Sequence, residues 1–244
     1  YCGLRYRFRE KPEHQAGFEK IQVSAMFLYT DIHTHILPGV DDGARNEEMC
    51  MEMLAAANKD GVSKIFLTPH SKPMHHNADP SKIRELTAGL QEEVQKNSLE
   101  LKLYTGNELY YRSELLELLE EGEVCTLADS DYALIEFGPM DDFEYIRKSM
   151  YRILSGGYRP VLAHAERYNV LWKSVEKAAA LVEMGCYLQI NGGSITGEYG
   201  FKVQRFCRRL LALDLVHFVA SDAHDDQKRG CRLSKCAKYI SKKY

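Results

Sequence analysis

The chain has 244 residues, 45% of them hydrophobic, enough for one domain with a full-sized core. Thirty-two Lys and Arg against 35 Asp and Glu leave a formal charge of −3, which argues against a general nucleic-acid binder. No run approaches the roughly 18 apolar residues of a membrane-spanning helix, and the seven scattered cysteines lack a C-x-x-C pair, as expected of free thiols in a reducing cytoplasm.

Residues 1–26 read as an extension before a domain over 27–244. The extension is charged where a signal peptide needs an apolar core, and Met26 is a plausible start for the compact part. FLYTDIH (27–33) reads as a strand. A helix follows, capped by Asn46, with Glu47 and Glu48 at its positive end, an apolar stripe of Met49, Met53, Leu54 and Ala57, and a stop at Gly61. The pattern then repeats: strand 63–68, helix 79–97, strand 101–106, helix 112–121, strand 132–137, helix 142–155, strand 160–164, helix 169–184, strand 187–191, helix 200–213 and strand 215–221. The locally basic tail, residues 226–244, reads as a solvated amphipathic helix. Seven β-α units imply parallel strands joined by right-handed crossovers, in a closed or nearly closed barrel or, alternatively, a doubly wound open sheet. No repeat, low-complexity tract or linker divides the chain, so a single domain is expected.

Polar residues recur where these strands end. His33 and His35 close the first, His70 follows the second, Glu108 the third, Glu136 sits in the fourth, His164 ends the fifth, and Asp222 and His224 end the seventh. In a parallel barrel these ends share one face, so histidines and carboxylates from six strands converge. A lone histidine after a strand is ordinarily a surface or satisfied core residue, but six strand ends carrying the same chemistry point to a shared site. Alternation puts His33 and His35 on one side, and Asp222 and His224 on one side if the strand continues that far. Glu136, inside ALIEF, is costly to bury unless paired or bound to metal. Imidazole with carboxylate suits Zn, Mn or Fe, and so many donors imply two or three ions. His75 and His76 fall in an exposed loop, His217 inside a strand as a core residue, and His14 in the extension. Asn191 precedes a glycine pair that would let substrate approach the backbone.

HTHILPGVDDG, the TPH after the second strand, GNELYY, LIEF, HAERY and SDAH together resemble the PHP phosphoesterases. More narrowly, the chain is similar over about residues 29–230 to the manganese-dependent protein-tyrosine phosphatases of bacterial capsule and exopolysaccharide loci. The resemblance implies a distorted (β/α)7 barrel and nine ligands for a three-metal cluster: His33, His35, Asp42, His70, Glu108, Glu136, His164, Asp222 and His224. It groups His33, His35, Glu108 and Asp222 on one ion, Glu108, Glu136 and His164 on a second, and Asp42, His70 and His224 on a third. The metal is expected to be Mn2+, with Fe, Zn or another divalent ion possible in the same donors. Of the adjacent pair Asp41 and Asp42, the family pattern favours Asp42 as ligand and leaves Asp41 to support a ligand or assist proton transfer. Gly39 and Gly43 would let the chain turn back over the mouth. Arg167 and Arg229 are implied as catalytic, phosphate-binding residues, since guanidinium forks match phosphate oxygens.

The reaction so implied is hydrolysis of a phosphate monoester, with phosphotyrosine as substrate in the tyrosine-rich tail of an autophosphorylating bacterial tyrosine kinase. The alternatives are a PHP-type phosphatase of small molecules such as histidinol phosphate, and a metal-bearing barrel that docks the kinase without hydrolysis. Other chemistries fail on spacing. No cysteine begins a C-x5-R, no P-loop is present, and Asp129-Ser130-Asp131 precedes its strand rather than ending one.

Overall fold

The computed structural model describes residues 28–75 and 77–244; the expected extension over 1–26, with Met26 and His14, and also His76 lie outside the described residues. Among the described residues nine strand segments run in chain order: β1 (Tyr29–Thr34), β2 (Val62–Leu67), β3 (His70–Ser71), β4 (Lys102–Thr105), β5 (Glu108–Tyr110), β6 (Tyr132–Glu136), β7 (Arg159–Leu162), β8 (Tyr187–Asn191) and β9 (Phe218–Ala220). They form two parallel sheets, ordered β1-β2-β4 and β3-β5-β6-β7-β8-β9. The second sheet returns to the first: Asp222 N–H donates to His33 O at 2.9 Å and His35 N–H to Ala223 O at 2.8 Å. The seven expected strands are therefore present in a distorted, curled barrel, with two of them broken.

Both breaks have local causes. Pro69 brings no N–H to the ladder, so β2 and β3 are separate pieces. Opposite it, Gly106 and Asn107 separate β4 from β5, and Asn107 bridges the gap by donating Nδ2 to Pro69 O at 2.9 Å and accepting from Cys125 N–H at 2.8 Å. A Cβ on Gly106 would lie 3.0 Å from Leu127 Cδ2, which leaves little room for any other residue. After the break, His70 faces Glu108 in register.

The helices are α1 (Glu47–Lys59), α2 (Pro80–Lys96), α3 (Leu115–Glu120), α4 (Phe143–Ser155), α5 (Asn169–Trp172), α6 (Val175–Glu183), α7 (Gly192–Thr196), α8 (Phe201–Ala212) and α9 (Ser234–Lys243). Asn46 caps α1 by accepting from Met49 N–H at 2.9 Å. The apolar faces of these helices join the outer faces of the strands in one large core. A smaller cluster of Ile32, Leu127, Leu134, Val161, Ala163 and Ala220 fills the barrel interior beneath the site. No helix among the described residues is long and apolar enough to cross a membrane.

Three expectations are corrected. The helix expected over 169–184 is two, because the Trp172 indole N–H donates back to Glu166 O and Ser174 starts the second helix in an extended conformation. The glycine pair after Asn191 begins α7 rather than leaving open backbone: a Cβ on Gly192 would sit 2.9 Å from Cys236 Sγ of α9, and one on Gly193 would sit 2.7 Å from Glu198 Oε2. The basic tail is helical only from Ser234, whose N–H and hydroxyl are both held by Asp60.

Candidate metal centre

β1 carries the first donors to the mouth. His33 Nε2 and His35 Nε2 lie 3.2 Å apart and face the same space. The chain then turns back through Gly39, whose φ is +69°. Gly43 passes so close that a Cβ there would lie 1.9 Å from His35 O, so only glycine fits. The turn is closed by Gly39 N–H to Ala44 O at 2.8 Å and Ala44 N–H to His35 O at 3.0 Å. It sets Asp41 against His35 and leaves Asp42, 67% exposed at its side chain, over the opening.

All nine residues singled out from the sequence come together at this mouth. Glu108 is central: its oxygens lie 3.4 Å from His33 Nε2, 3.3 Å from His35 Nε2, 2.7 Å from His70 Nδ1 and 2.7 Å from His164 Nε2. Asp222 Oδ1 lies 3.5 Å from both His33 Nε2 and His35 Nε2. Glu136 stands 3.5 Å from His164 and 3.8 Å from His70. Asp42 Oδ1 is 3.3 Å from His70 Nε2 and 3.5 Å from His224 Nε2. Three sets of donor atoms fall within 4.8 Å of one another: His35, Asp42, His70 and His224; His33, His35 and Glu108; and His70, Glu108 and Glu136. These sets differ from the grouping expected from the sequence: His35 joins Asp42, His70 and His224, His70 stands with Glu108 and Glu136 where His164 was expected, and Asp222 falls in none of the three. Strand geometry does not persist to Asp222 and His224. β9 ends at Ala220, and Asp222 enters the site through a left-handed turn at φ +54°, as His164 does at φ +33°. Such strained backbone in residues with side chains is a mark of functional sites.

A polar layer behind the cluster orients the imidazoles. Gln189 accepts from His164 N–H at 2.8 Å and donates to Asn191 Oδ1 at 2.8 Å, which fixes its amide. Its oxygen then accepts from His33 Nδ1 at 3.1 Å. Asp41 accepts from His35 Nδ1 at 2.6 Å, and His224 Nδ1 donates to Asp222 O at 2.9 Å. In each ring Nε2 is thereby turned toward the cluster, where its lone pair can serve a metal once the ring is neutral. Asp41 also accepts from the backbone N–H of Gly43 and His70, both at 3.0 Å.

The electrostatics are those of a donor cluster awaiting positive charge. Burial disfavours a charged His35, yet its hydrogen bonds to Asp41 and Glu108 raise it to about 10. Burial likewise opposes protonation of His164, and Glu108 and Glu136 raise it to about 9. His224 falls to about 4, through burial and the neighbouring His35 charge. Glu108 is held well below the usual carboxylate range, because the surrounding histidines outweigh its burial. His164 Nδ1 is buried without a hydrogen-bond partner, and the close approach of His70 Nδ1 to Glu108 Oε2 lacks the angles of a hydrogen bond. Unpaired buried donors and acceptors are costly, and mixed imidazole and carboxylate donors suit a divalent transition metal. The residues present therefore fit metal ions.

Arg167 and Arg229 arrive from the loops after β7 and β9 and meet on one atom. Both guanidinium groups contact Asp222 Oδ2, that of Arg229 at 3.1 Å. Asn191 Nδ2 donates to the same oxygen at 2.9 Å. Sequence reasoning passed over Gln189 and over Lys72, whose Nζ lies 3.1 Å from His70 Nε2 and 3.5 Å from Glu136 Oε2. Alternation along YLQIN puts Gln189 and Asn191 on one face, the signal that marks them. His217, expected in the core, is exposed just before β9, where its Nδ1 accepts from Leu188 N–H at 3.2 Å. His75 is exposed, and Asp129 and Asp131 form surface ion pairs with Arg84 and Arg159, away from the cluster.

The family profile "Capsular polysaccharide synthesis, CpsB/CapC" matches residues 29–244. Tyrosine-protein phosphatase CpsB of Streptococcus pneumoniae is 37% identical over 220 residues, covering 88% of this chain and 90% of that protein. Tyrosine-protein phosphatase YwqE of Bacillus subtilis (strain 168) is 34% identical over 215 residues, covering 88% of this chain and 84% of that protein. The crystal structures of YwqE and CpsB, described as unique metal-dependent tyrosine phosphatases, include a chain of similar fold. Its TM-score is 0.83 at 34% identity, covering 88% of this chain and 87% of that one. The histidinol phosphate phosphatase of Lactococcus lactis, at 14% identity and a TM-score of 0.56, shares the fold alone. On the profile match and these identities, the chain belongs to the CpsB/CapC family of capsular polysaccharide synthesis.

Proposed function

We propose that the chain is a metal-dependent protein-tyrosine phosphatase. The observation that carries this reading is the convergence of seven donor residues in three overlapping sets, with His164 and Asp222 against them and Arg167 and Arg229 meeting on Asp222. The relatives named tyrosine-protein phosphatase, aligned over 88% of the chain, support it.

His33, His35, Asp42, His70, Glu108, Glu136, His164, Asp222 and His224 would hold two or three ions, with manganese the first choice and iron or zinc suited to the same donors. Such ions supply Lewis acidity, drawing charge from phosphate oxygens and making water acidic enough to attack near neutral pH. Asp41 holds His35 with Nε2 turned inward, and Gln189 does the same for His33. Arg167 and Arg229 bind phosphate oxygens and stabilise charge as it redistributes between attacking and leaving oxygens. A phenolate leaving group, with a pKa of about 10, needs less protonation than an alkoxide. The physiological substrate on this reading is the tyrosine-rich tail of a bacterial tyrosine kinase, met in the cytoplasm.

A substrate panel tests the reading. The manganese-loaded protein is expected to release phosphate from phosphotyrosine peptides much faster than from phosphoserine peptides or histidinol phosphate. A preference for histidinol phosphate would move the function to small molecules.

A further inference from the structure

Lys72 follows β3 directly and brings an ammonium to the mouth. Its Nζ lies 3.1 Å from His70 Nε2 and 3.5 Å from Glu136 Oε2, and Glu136 is its one ion-pair partner among the described residues. The backbone beneath it is fixed. Lys72 N–H donates to Asn77 Oδ1 at 2.8 Å, and Asn77 Nδ2 donates back to Lys72 O at 2.8 Å. The side chain is 28% exposed and lines a cavity of about 390 Å³ together with Val40, Asp41, Asp42 and His70. A freely solvated surface lysine would have none of these constraints.

We propose that Lys72 is a third phosphate-binding cation, holding the substrate phosphate from the Glu136 side of the mouth while Arg167 and Arg229 hold it from the Asp222 side; this rests on the phosphatase reading above. Both present partners of Lys72 are proposed metal ligands. The single Nε2 lone pair of His70 cannot serve an ammonium and a divalent ion at once, so metal ions held there would leave the ammonium at the Glu136 edge of the cavity, with Glu136 Oε2 as its one remaining contact. There it faces positive charge at close range, which is unfavourable unless an anion lies between them. Asp41 cannot supply that anion, because His35 and two backbone N–H groups already hold it. A phosphate dianion can: it presents oxygens to the ions, to the arginines arriving after β7 and β9, and to the lysine arriving after β3. An ammonium is a compact point charge that needs no bidentate geometry and suits one remaining oxygen.

The test compares the full-length, manganese-loaded parent with Lys72→Met and Lys72→Arg. Three quantities are read: the inorganic phosphate isotherm, kcat and KM on a phosphotyrosine peptide, and metal bound per chain. Lys72→Met is expected to weaken phosphate binding by about tenfold or more and to lower kcat/KM to match, as for loss of a charge-assisted hydrogen bond. Lys72→Arg should recover most of both, with metal content and thermal midpoint unchanged. Unaltered phosphate binding in Lys72→Met would overturn the proposal. So would tighter metal binding with no change in phosphate affinity, which would make Lys72 only a stand-in for an absent ion. A parent that binds phosphate but hydrolyses no phosphotyrosine overturns the phosphatase reading, while the Lys72→Met isotherm still decides for or against Lys72.

Discussion

Asp41 Oδ2 lies 2.6 Å from His35 Nδ1, and this pair decides which edge of the ring faces the cluster. Of the two adjacent aspartates, Asp41 is turned inward and Asp42 stands over the mouth. Asp41 therefore holds the His35 ring, and its carboxylate is held at about 2, because His35 and the N–H groups of Gly43 and His70 outweigh the effect of its burial.

Asp41→Asn is expected to weaken metal binding by about 10- to 100-fold, the usual cost of losing a partner behind a ligating histidine. A metal titration checks this. At saturating metal, kcat should recover much of its parent value. If kcat stays low at saturating metal while affinity is unchanged, Asp41 acts on the reaction itself.

Metal loading should release protons. His35 at about 10 and His164 at about 9 are protonated in the metal-free protein at neutral pH, whereas His224 at about 4 is already neutral. A ligating imidazole must be neutral, so each bound proton competes with the ion. Apparent affinity should rise with pH until it passes about 9 to 10, where the two raised groups lose their protons unaided. Calorimetry in buffers of differing ionisation enthalpy should count on the order of two protons released per chain at pH 7. A count of zero would contradict the protonation pattern.

Much of this arrangement was legible in the sequence. The seven strand positions follow from runs of apolar residues, and His33, His70, Glu108, Glu136, His164 and Asp222 stand where those runs end. What escaped was set by tertiary context. The break at Pro69 could be read as an end to pairing, but its bridging by Asn107 needs two distant strands side by side. Gln189 lies between Leu188 and Ile190 and becomes meaningful only once His33 is seen against it. Lys72, in HSKPM, looks like any surface lysine until β3 carries it to Glu136.

Gly43→Ala should damage the turn rather than merely stiffen it. The new methyl would meet His35 O at 1.9 Å, a backbone atom that cannot rotate aside. A cost of about 2–3 kcal/mol is expected, as for overpacking a tight site, with reduced metal affinity because His35 shifts. Thermal unfolding with and without metal checks it; an unchanged midpoint would contradict the packing.

Arg167→Met and Arg229→Met are each expected to lower kcat/KM by about 10²-fold, the scale of losing one donor to developing charge. Metal content should remain near the parent's. Because both guanidinium groups meet on Asp222 Oδ2, the double variant should fall short of the product of the single losses. Full multiplicativity would mean that the two arginines act on separate targets.

The most direct measurement is phosphate release from a phosphotyrosine peptide by the manganese-loaded protein, the same protein after chelation, and its His164→Ala variant. His164 lies 2.7 Å from Glu108 and 3.5 Å from Glu136 at the centre of the donor cluster, and its loss opens one proposed metal position. Chelation and substitution should each lower the rate by at least about 10²-fold, as expected when metal-assisted hydrolysis is lost. Equal rates in all three preparations would show that the cluster is not where the phosphate ester is cleaved.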